Sequence, residues 1–347
     1  MNCFSEKRLR TMFYKRFWTI LLTLVLVLPV YGQKYTIKFA TLAPEGSTWM
    51  NVMREFDAEL RKQTNGEVGF RIYAGGVLGD EKDVLRKMRI GQVHAAGFTG
   101  VGMGEILPEV RILDAPFLFR NYDEVDLIYD KFYDHFASGF EKKGYILLGW
   151  AEVGFVHVFS KVKVSTLEEL RKIRMWVWEG DPVAEATFKA FGIQPIPLSV
   201  IDVLTALQTN MVDAVYTSPL AAIALQWFTK VKYMMEVPLA DAAGAVLISR
   251  RMFNRIPEQH RTILTRLARE YMRKLTLLSR EDNRKAIETL KQNGIQLIPK
   301  PDEQTLQGFY TTAAKARRAL VGRYYSEELL NEIETTLEEF RKNSTSP

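Results

Sequence analysis

The stretch Leu170–Pro182, reading LRKIRMWVWEGDP, places an arginine among tryptophans. Ile173, Met175 and Val177 fall on one parity and Arg174, Trp176 and Trp178 on the other. Such alternation argues for a β-strand whose successive side chains point to opposite faces. Arg174, Trp176 and Trp178 would then share a face. A guanidinium is a planar fork of donors that fits a carboxylate in two-pronged fashion, and indoles wall an apolar body. The same pattern also fits an arginine in an interlobe salt bridge with the tryptophans as ordinary core.

Other chemistry is excluded more readily. His94, His135, His157 and His260 are scattered, with no pair at helical spacing and no cysteine beside them, so no metal site is expected. There is no G-x-S-x-G elbow, and no serine has a local base. A catalytic site is therefore not expected. The glycine-rich run Gly97–Gly104 (GFTGVGMG) lacks the lysine of a phosphate loop and the spacing of a dinucleotide fingerprint. It reads as a tight strand-to-helix connection with backbone close to a ligand, and no cofactor is expected.

These residues must be positioned by elements that follow a short leader. Lys7, Arg8, Arg10, Lys15 and Arg16 precede an apolar run from Phe17 to Val30, and Gly32 stands at the expected cut. That is the layout of a secretory signal peptide, with Met12 an alternative start. The only cysteine, Cys3, lies before the apolar run, so the chain has no lipoprotein-type acceptor after it. Residues 1–32 hold five of the 47 basic and one of the 41 acidic residues, so the net charge of +6 falls to +2 without them. That is no footprint for nucleic acid. The remaining 315 or so residues suffice for two domains, each with its own core.

Tyr35–Ala40, Val68–Tyr73 and Val93–Phe98 read as strands. Helical patterns at Trp49–Leu60 and Asp80–Arg89 lie between them, the second opened by an Asp80 cap. Alternation of this kind argues for an α/β sheet with helices on its faces and ligands beyond the carboxyl ends of the strands. Tyr122–Lys142 reads as one amphipathic helix and Ile146–Ala151 as a strand. Gly154–Ser160 (GFVHVFS) is expected to cross between lobes. A second lobe follows, with strands at Arg174–Trp178 and Met211–Tyr216 and helices at Pro182–Phe191, Val203–Thr209 and from Ser218. Glu258–Gln292 is a helix of roughly 50 Å, at about 1.5 Å per residue, long enough to brace both lobes. The expected division is lobe I from 33–153 plus about 241–281, and lobe II from 154–240 plus about 282–342.

Several blocks resemble the periplasmic solute-binding subunits of tripartite ATP-independent periplasmic (TRAP) transporters, the DctP type. They are YTIKFATLAPEGSTW, FRIYAGGVLGDEKDVLRKMRIGQVHAA, LDAPFLF, STLEELRKIRM, FGIQPIPLSVIDVLTALQTNMVDA and SPLAAIALQWFTKVKYM. The resemblance covers nearly all the chain after the leader. It implies two α/β lobes closing hinge-wise over a small carboxylate, which is then delivered to TRAP membrane subunits from the periplasm. It also implies that Arg174, in the KIR motif, makes a two-pronged salt bridge to that carboxylate. The chain departs from the family where a proline becomes Trp176, where a second arginine that many members carry is missing near Val156, and where a glutamate becomes Thr99. Ser218-Pro219 replaces an asparagine-proline. Polar anchors are lost and apolar groups stand in their place. The expected ligand is therefore a hydrophobic carboxylate held by Arg174, Trp176, Trp178, Phe98, Thr99, Phe155, Tyr216 and Ser218. The W-x-W and SPLAAIALQW features resemble a subgroup that works with a periplasmic helical-repeat partner. A ligand-sensing module without a transport role is the competing reading.

Overall fold

In the computed structural model, residues 34–164 and 166–344 are described; the expected signal peptide lies outside them. The first sheet collects β1 (Tyr35–Ala40), β2 (Val68–Tyr73), β3 (Ala95–Thr99) and β4 (Tyr145–Trp150). The second lobe holds β5 (Gly154–Ser160), β6 (Trp176–Trp178), β7 (Ile196–Leu198), β8 (Ala214–Thr217), β9 (Tyr233–Met235) and β10 (Ala240–Ala242). The chain then returns to the first sheet as β11 (Gly244–Ser249) and to the second as β12 (Gln296–Ile298).

Sheet order in the first lobe is β2-β1-β3-β11-β4. The first three strands are parallel, and β11 runs antiparallel between β3 and β4. An antiparallel strand wedged there ties the late part of the chain into the early lobe. Its residues Ala245–Ile248 are fully buried, because both faces of the sheet are covered. One face packs against the Thr48–Gln63 and Glu258–Gln292 helices through Phe39, Phe56, Leu264 and Met272. The other faces Ile112, Ile128, Phe136 and Phe140.

In the second lobe β5 is the hub. It pairs antiparallel with β8, β9 and β10, and β9 pairs parallel with β12. Strand β6 pairs with β7 in parallel and touches β8 only through a bridge from Met175 to Ala214.

Local signals in the sequence explain where helices begin. Asp80 caps the Glu81–Arg89 helix in a reciprocal capping box with Asp83. Asp181 caps the Pro182–Ala190 helix, with Pro182 in its first turn, where a missing N–H costs nothing. Thr166 and Glu169 exchange the two bonds of a capping box ahead of a single helical turn. The expected helix Tyr122–Lys142 is two helices, Tyr122–Lys131 and Tyr133–Lys142, separated at Phe132.

The Glu258–Gln292 helix spans its expected length and staples the crossing segments. Asn283 donates to the Val153 carbonyl at 2.9 Å and accepts from the Leu220 N–H at 2.8 Å, joining one strand crossing to the second lobe. Arg280 forks Glu152 at 2.6 and 2.9 Å and Asp126 at 2.7 and 3.0 Å. The last helix, Glu327–Ser344, packs on the first lobe. Leu330, Ile333 and Leu337 join its core, and Arg341 forks Glu124 at 2.7 and 2.8 Å. The expected division had put this tail with the second lobe.

Candidate ligand cavity between the lobes

A cavity of about 460 Å³ lies where the carboxyl ends of the strands of both lobes meet. Its walls are predominantly apolar. The first lobe supplies Leu42, Trp49, Phe98 and Val101, and the second supplies Val156, Trp176, Trp178, Leu204 and Trp227. Trp176 is 2 % exposed and forms the centre of the aromatic wall. Its ring stacks on Tyr216 at 5.0 Å and meets Trp227 edge-on at 5.2 Å, and its indole N–H donates to the Leu198 carbonyl at 3.0 Å. Trp176 is thereby held rigid, with its indole N–H satisfied.

Of the residues expected at the site, Phe98, Thr99, Trp176, Trp178, Tyr216 and Ser218 line the cavity. Arg174 and Phe155 do not. Strand β6 starts only at Trp176, and Arg174 lies upstream of it, at the end of the strand remote from the cavity. A strand rises about 3.3 Å per residue, so two residues displace Arg174 by roughly 7 Å from Trp176. Asp213 occupies the corresponding position before β8. The two form a fork on the surface, Nε to Oδ2 at 2.7 Å and Nη2 to Oδ1 at 2.8 Å, with the arginine side chain 52 % exposed. Correct parity thus placed Arg174 on the right face but at the wrong end. Phe155 fails for the opposite reason: it stands on the other face of β5 from Val156 and packs at a tilt against Tyr122, ring centroids 4.7 Å apart.

The cation that does line the cavity is Arg111, midway along a 3-10 helix spanning Pro108–Asp114. It is 3 % exposed and is the one cationic residue among the described residues of the lining. One arm of its fork, Nη1, lies 2.8 Å from Asp114 Oδ2. The other, Nη2, lies 2.5 Å from Asp181 Oδ1 in the opposite lobe. Asp181 also accepts the N–H groups of Val183 and Ala184 at 3.1 Å and the Tyr216 hydroxyl at 3.0 Å. A second interlobe contact uses Asp80, which accepts the Trp178 indole N–H at 3.0 Å and the Ser199 hydroxyl. Two carboxylates therefore clasp the lobes together around the cavity.

Gly100, Gly102 and Gly104 make room for buried polar side chains. A Cβ on Gly100 would fall 1.7 Å from Asp114 Oδ2, and one on Gly104 would fall 2.5 Å from the Arg111 stem. One on Gly102 would fall 2.6 Å from Glu81 Oε2. Glycine is required so that buried side chains can press against backbone. Glu81 accepts from the Thr99 N–H at 2.8 Å, the Thr99 hydroxyl at 2.9 Å and the Gly102 N–H at 2.7 Å. Burial nevertheless pushes its carboxyl up to about 7. Burial likewise pushes Asp114 up to about 6 against the pull of Arg111. Asp241, fully buried in the cavity wall, accepts among the described residues only the Tyr129 hydroxyl at 3.1 Å, and its pKa is raised well above the usual carboxylate range by burial.

Sequence reasoning missed Arg111, Asp181, Glu81 and Asp241. A lone arginine in the apolar run Ile106–Leu118 was an available signal for Arg111, and Asp-Pro at 181–182 one for a helix cap. Neither signal says that the two meet.

Two α/β lobes joined by crossing strands, braced by a long helix and closed over an apolar cavity define a two-lobed ligand-binding protein. The family described as "Bacterial extracellular solute-binding protein, family 7", DctP, matches residues 39–319. The chain belongs to this family of TRAP-type solute-binding proteins, and is accordingly a binding protein and not an enzyme. It is 29 % identical over 252 residues to a solute-binding protein of Verminephrobacter eiseniae, covering 72 % of this chain and 74 % of that one. It is 26 % identical over 257 residues to the 2,3-diketo-L-gulonate-binding periplasmic protein of Escherichia coli, covering 72 % and 77 %. Among solved structures, a TRAP periplasmic solute-binding protein from Pseudomonas putida F1 with bound D-glucuronate superposes with a TM-score of 0.79 at 25 % identity. That match covers 86 % of this chain and 96 % of that one.

Proposed function

We propose that the protein captures an organic acid with an apolar body in the periplasm and presents it, closed between the lobes, to TRAP membrane subunits. The observation that carries this reading is the cavity, an aromatic and aliphatic enclosure with one buried arginine. Relatives named for 2,3-diketo-L-gulonate and C4-dicarboxylate, and a neighbour holding D-glucuronate, support an acid as cargo. The tryptophan-rich wall argues against a polyhydroxylated one, since each buried hydroxyl left without a partner costs about 1–3 kcal/mol. The carboxylate anchor is then Arg111, with Trp176, Trp178, Phe98 and Tyr216 around the apolar body. Thr99 and Ser218 supply polar edges. A periplasmic location accords with the leader sequence and with the periplasmic relatives; among the described residues no helix is long and apolar enough to cross a membrane. A helical-repeat periplasmic partner, which would receive an apolar acid out of water, belongs to the same reading.

The test is mass spectrometry of small molecules released by denaturing the purified protein, followed by a thermal-shift screen of carboxylic acids. Aromatic, branched or longer-chain monocarboxylates should raise the midpoint, because a ligand bound only by the folded state stabilises it. A midpoint raised only by sugar acids or short diacids would overturn the apolar reading.

A further inference from the structure

The cavity holds an imbalance of charge. Arg111 is its one cation among the described lining residues, and both arms of that guanidinium already meet carboxylates, Asp114 from its own lobe and Asp181 from the other. All three side chains are buried, with 4 %, 12 % and 6 % of the side chain exposed. A ligand carboxylate reaching Arg111 would put three anions on one cation in a closed apolar enclosure. Uncompensated charge in such surroundings is expensive, and the usual response is to take up a proton.

We propose that ligand capture is coupled to the uptake of one proton from solvent, which settles on Asp114 as the ligand carboxylate takes its place on Arg111. This rests on the reading of the cavity as an organic-acid site.

The neighbours single out Asp114. Asp181 is held as an acceptor by two backbone N–H groups and the Tyr216 hydroxyl besides Arg111, and a protonated carboxyl would forfeit part of that set. Asp114 has a single hydrogen bond of this kind, from the Ala243 N–H to Oδ1 at 2.7 Å. Its Oδ2, facing Arg111, is free to carry the proton once the guanidinium turns to the ligand. The other groups around it offer no cation in compensation. Asp241 and Glu152, behind the cavity wall, bring no positive charge, and Arg280 is already forked by Glu152 and Asp126. Tyr129 donates to Asp241, and Glu81 is engaged with Thr99 and Gly102. Burial already lifts Asp114 towards neutrality before any ligand arrives.

The experiment is titration calorimetry of the purified protein with phenylacetate, 4-methylpentanoate and octanoate, from pH 5.5 to 8.5, in buffers of different ionisation heat. The expected result is uptake of about one proton per ligand near pH 7.5, with Kd weakening about tenfold per pH unit above neutrality. In Asp114→Asn the uptake should fall close to zero and the affinity should become flat with pH. Binding without proton uptake in the unaltered protein would overturn this inference and leave the organic-acid reading standing. Equal uptake in Asp114→Asn and the unaltered protein would overturn the assignment to Asp114. Failure of all three acids to bind at any pH would remove the organic-acid reading, and this inference with it.

Discussion

Two arginine–aspartate contacts, chemically alike, occupy opposite environments. Arg174 and Asp213 form a two-pronged pair at the entry of β6 and β8, in water, between neighbouring segments of one lobe. Arg111 bridges Asp114 and Asp181 in the interior, across two lobes. The outer pair is screened and its loss exposes nothing. The inner one is surrounded by apolar walls, so each partner is needed to neutralise the others. Geometry of the fork is therefore no guide to importance; what surrounds the fork is.

The contrast can be broken by substitution. Arg111→Met leaves Asp114 and Asp181 facing each other without a cation, and should cost about 3–5 kcal/mol in urea unfolding. A loss no larger than that of a surface pair would show that water reaches the inner cluster. A second consequence of burial concerns His157, which is 8 % exposed, donates its ring N–H to the Met235 carbonyl at 2.9 Å and is pushed down by burial to about 4. The folded state thus binds fewer protons than the unfolded chain between pH 6.5 and 4. Stability from this residue is complete above 6.5 and drains away as pH falls, by about 3 kcal/mol in all. Glu81 and Asp114, raised to about 7 and about 6, work in the opposite direction, favouring the fold at low pH and losing that contribution as pH rises through those values. Unfolding measured from pH 4.5 to 7.5 in the unaltered protein and in His157→Gln separates the two: the variant should gain stability relative to the unaltered protein as pH falls. The smallest effect belongs to the outer pair. Arg174→Ala should leave the thermal midpoint near its original value and, against the family pattern, keep acid binding. Lost binding with an intact midpoint would restore Arg174 as the anchor.

Much of the architecture could be read from the chain alone. Period-2 and period-3.6 patterns locate β1 to β3, the crossing strand β5 and the helix Glu258–Gln292, because those signals are local and each residue reports its own burial. The cap at Asp80 is legible for the same reason, since the side chain bonds to backbone within three residues. Part of the cavity was legible too. Trp176, Trp178, Phe98 and Tyr216 sit at strand ends in α/β lobes, where ligands gather.

What the chain alone could not decide was which charge faces inward. Parity assigns Arg174 to the face of Trp176, but only the pairing of β6 with β7 and the bridge to β8 fix where along that face the cavity begins. The contact of Arg111 with Asp181 joins residues 70 positions apart in different lobes, and Asp241 meets Tyr129 across 112. No local pattern encodes such encounters, because they arise from how the two lobes close on each other. The sequence by itself determined two lobes, a brace and an aromatic wall. The tertiary structure decided that the wall encloses a buried arginine shared by two aspartates, since burial and charge compensation are properties of the closed assembly of elements, not of any one segment.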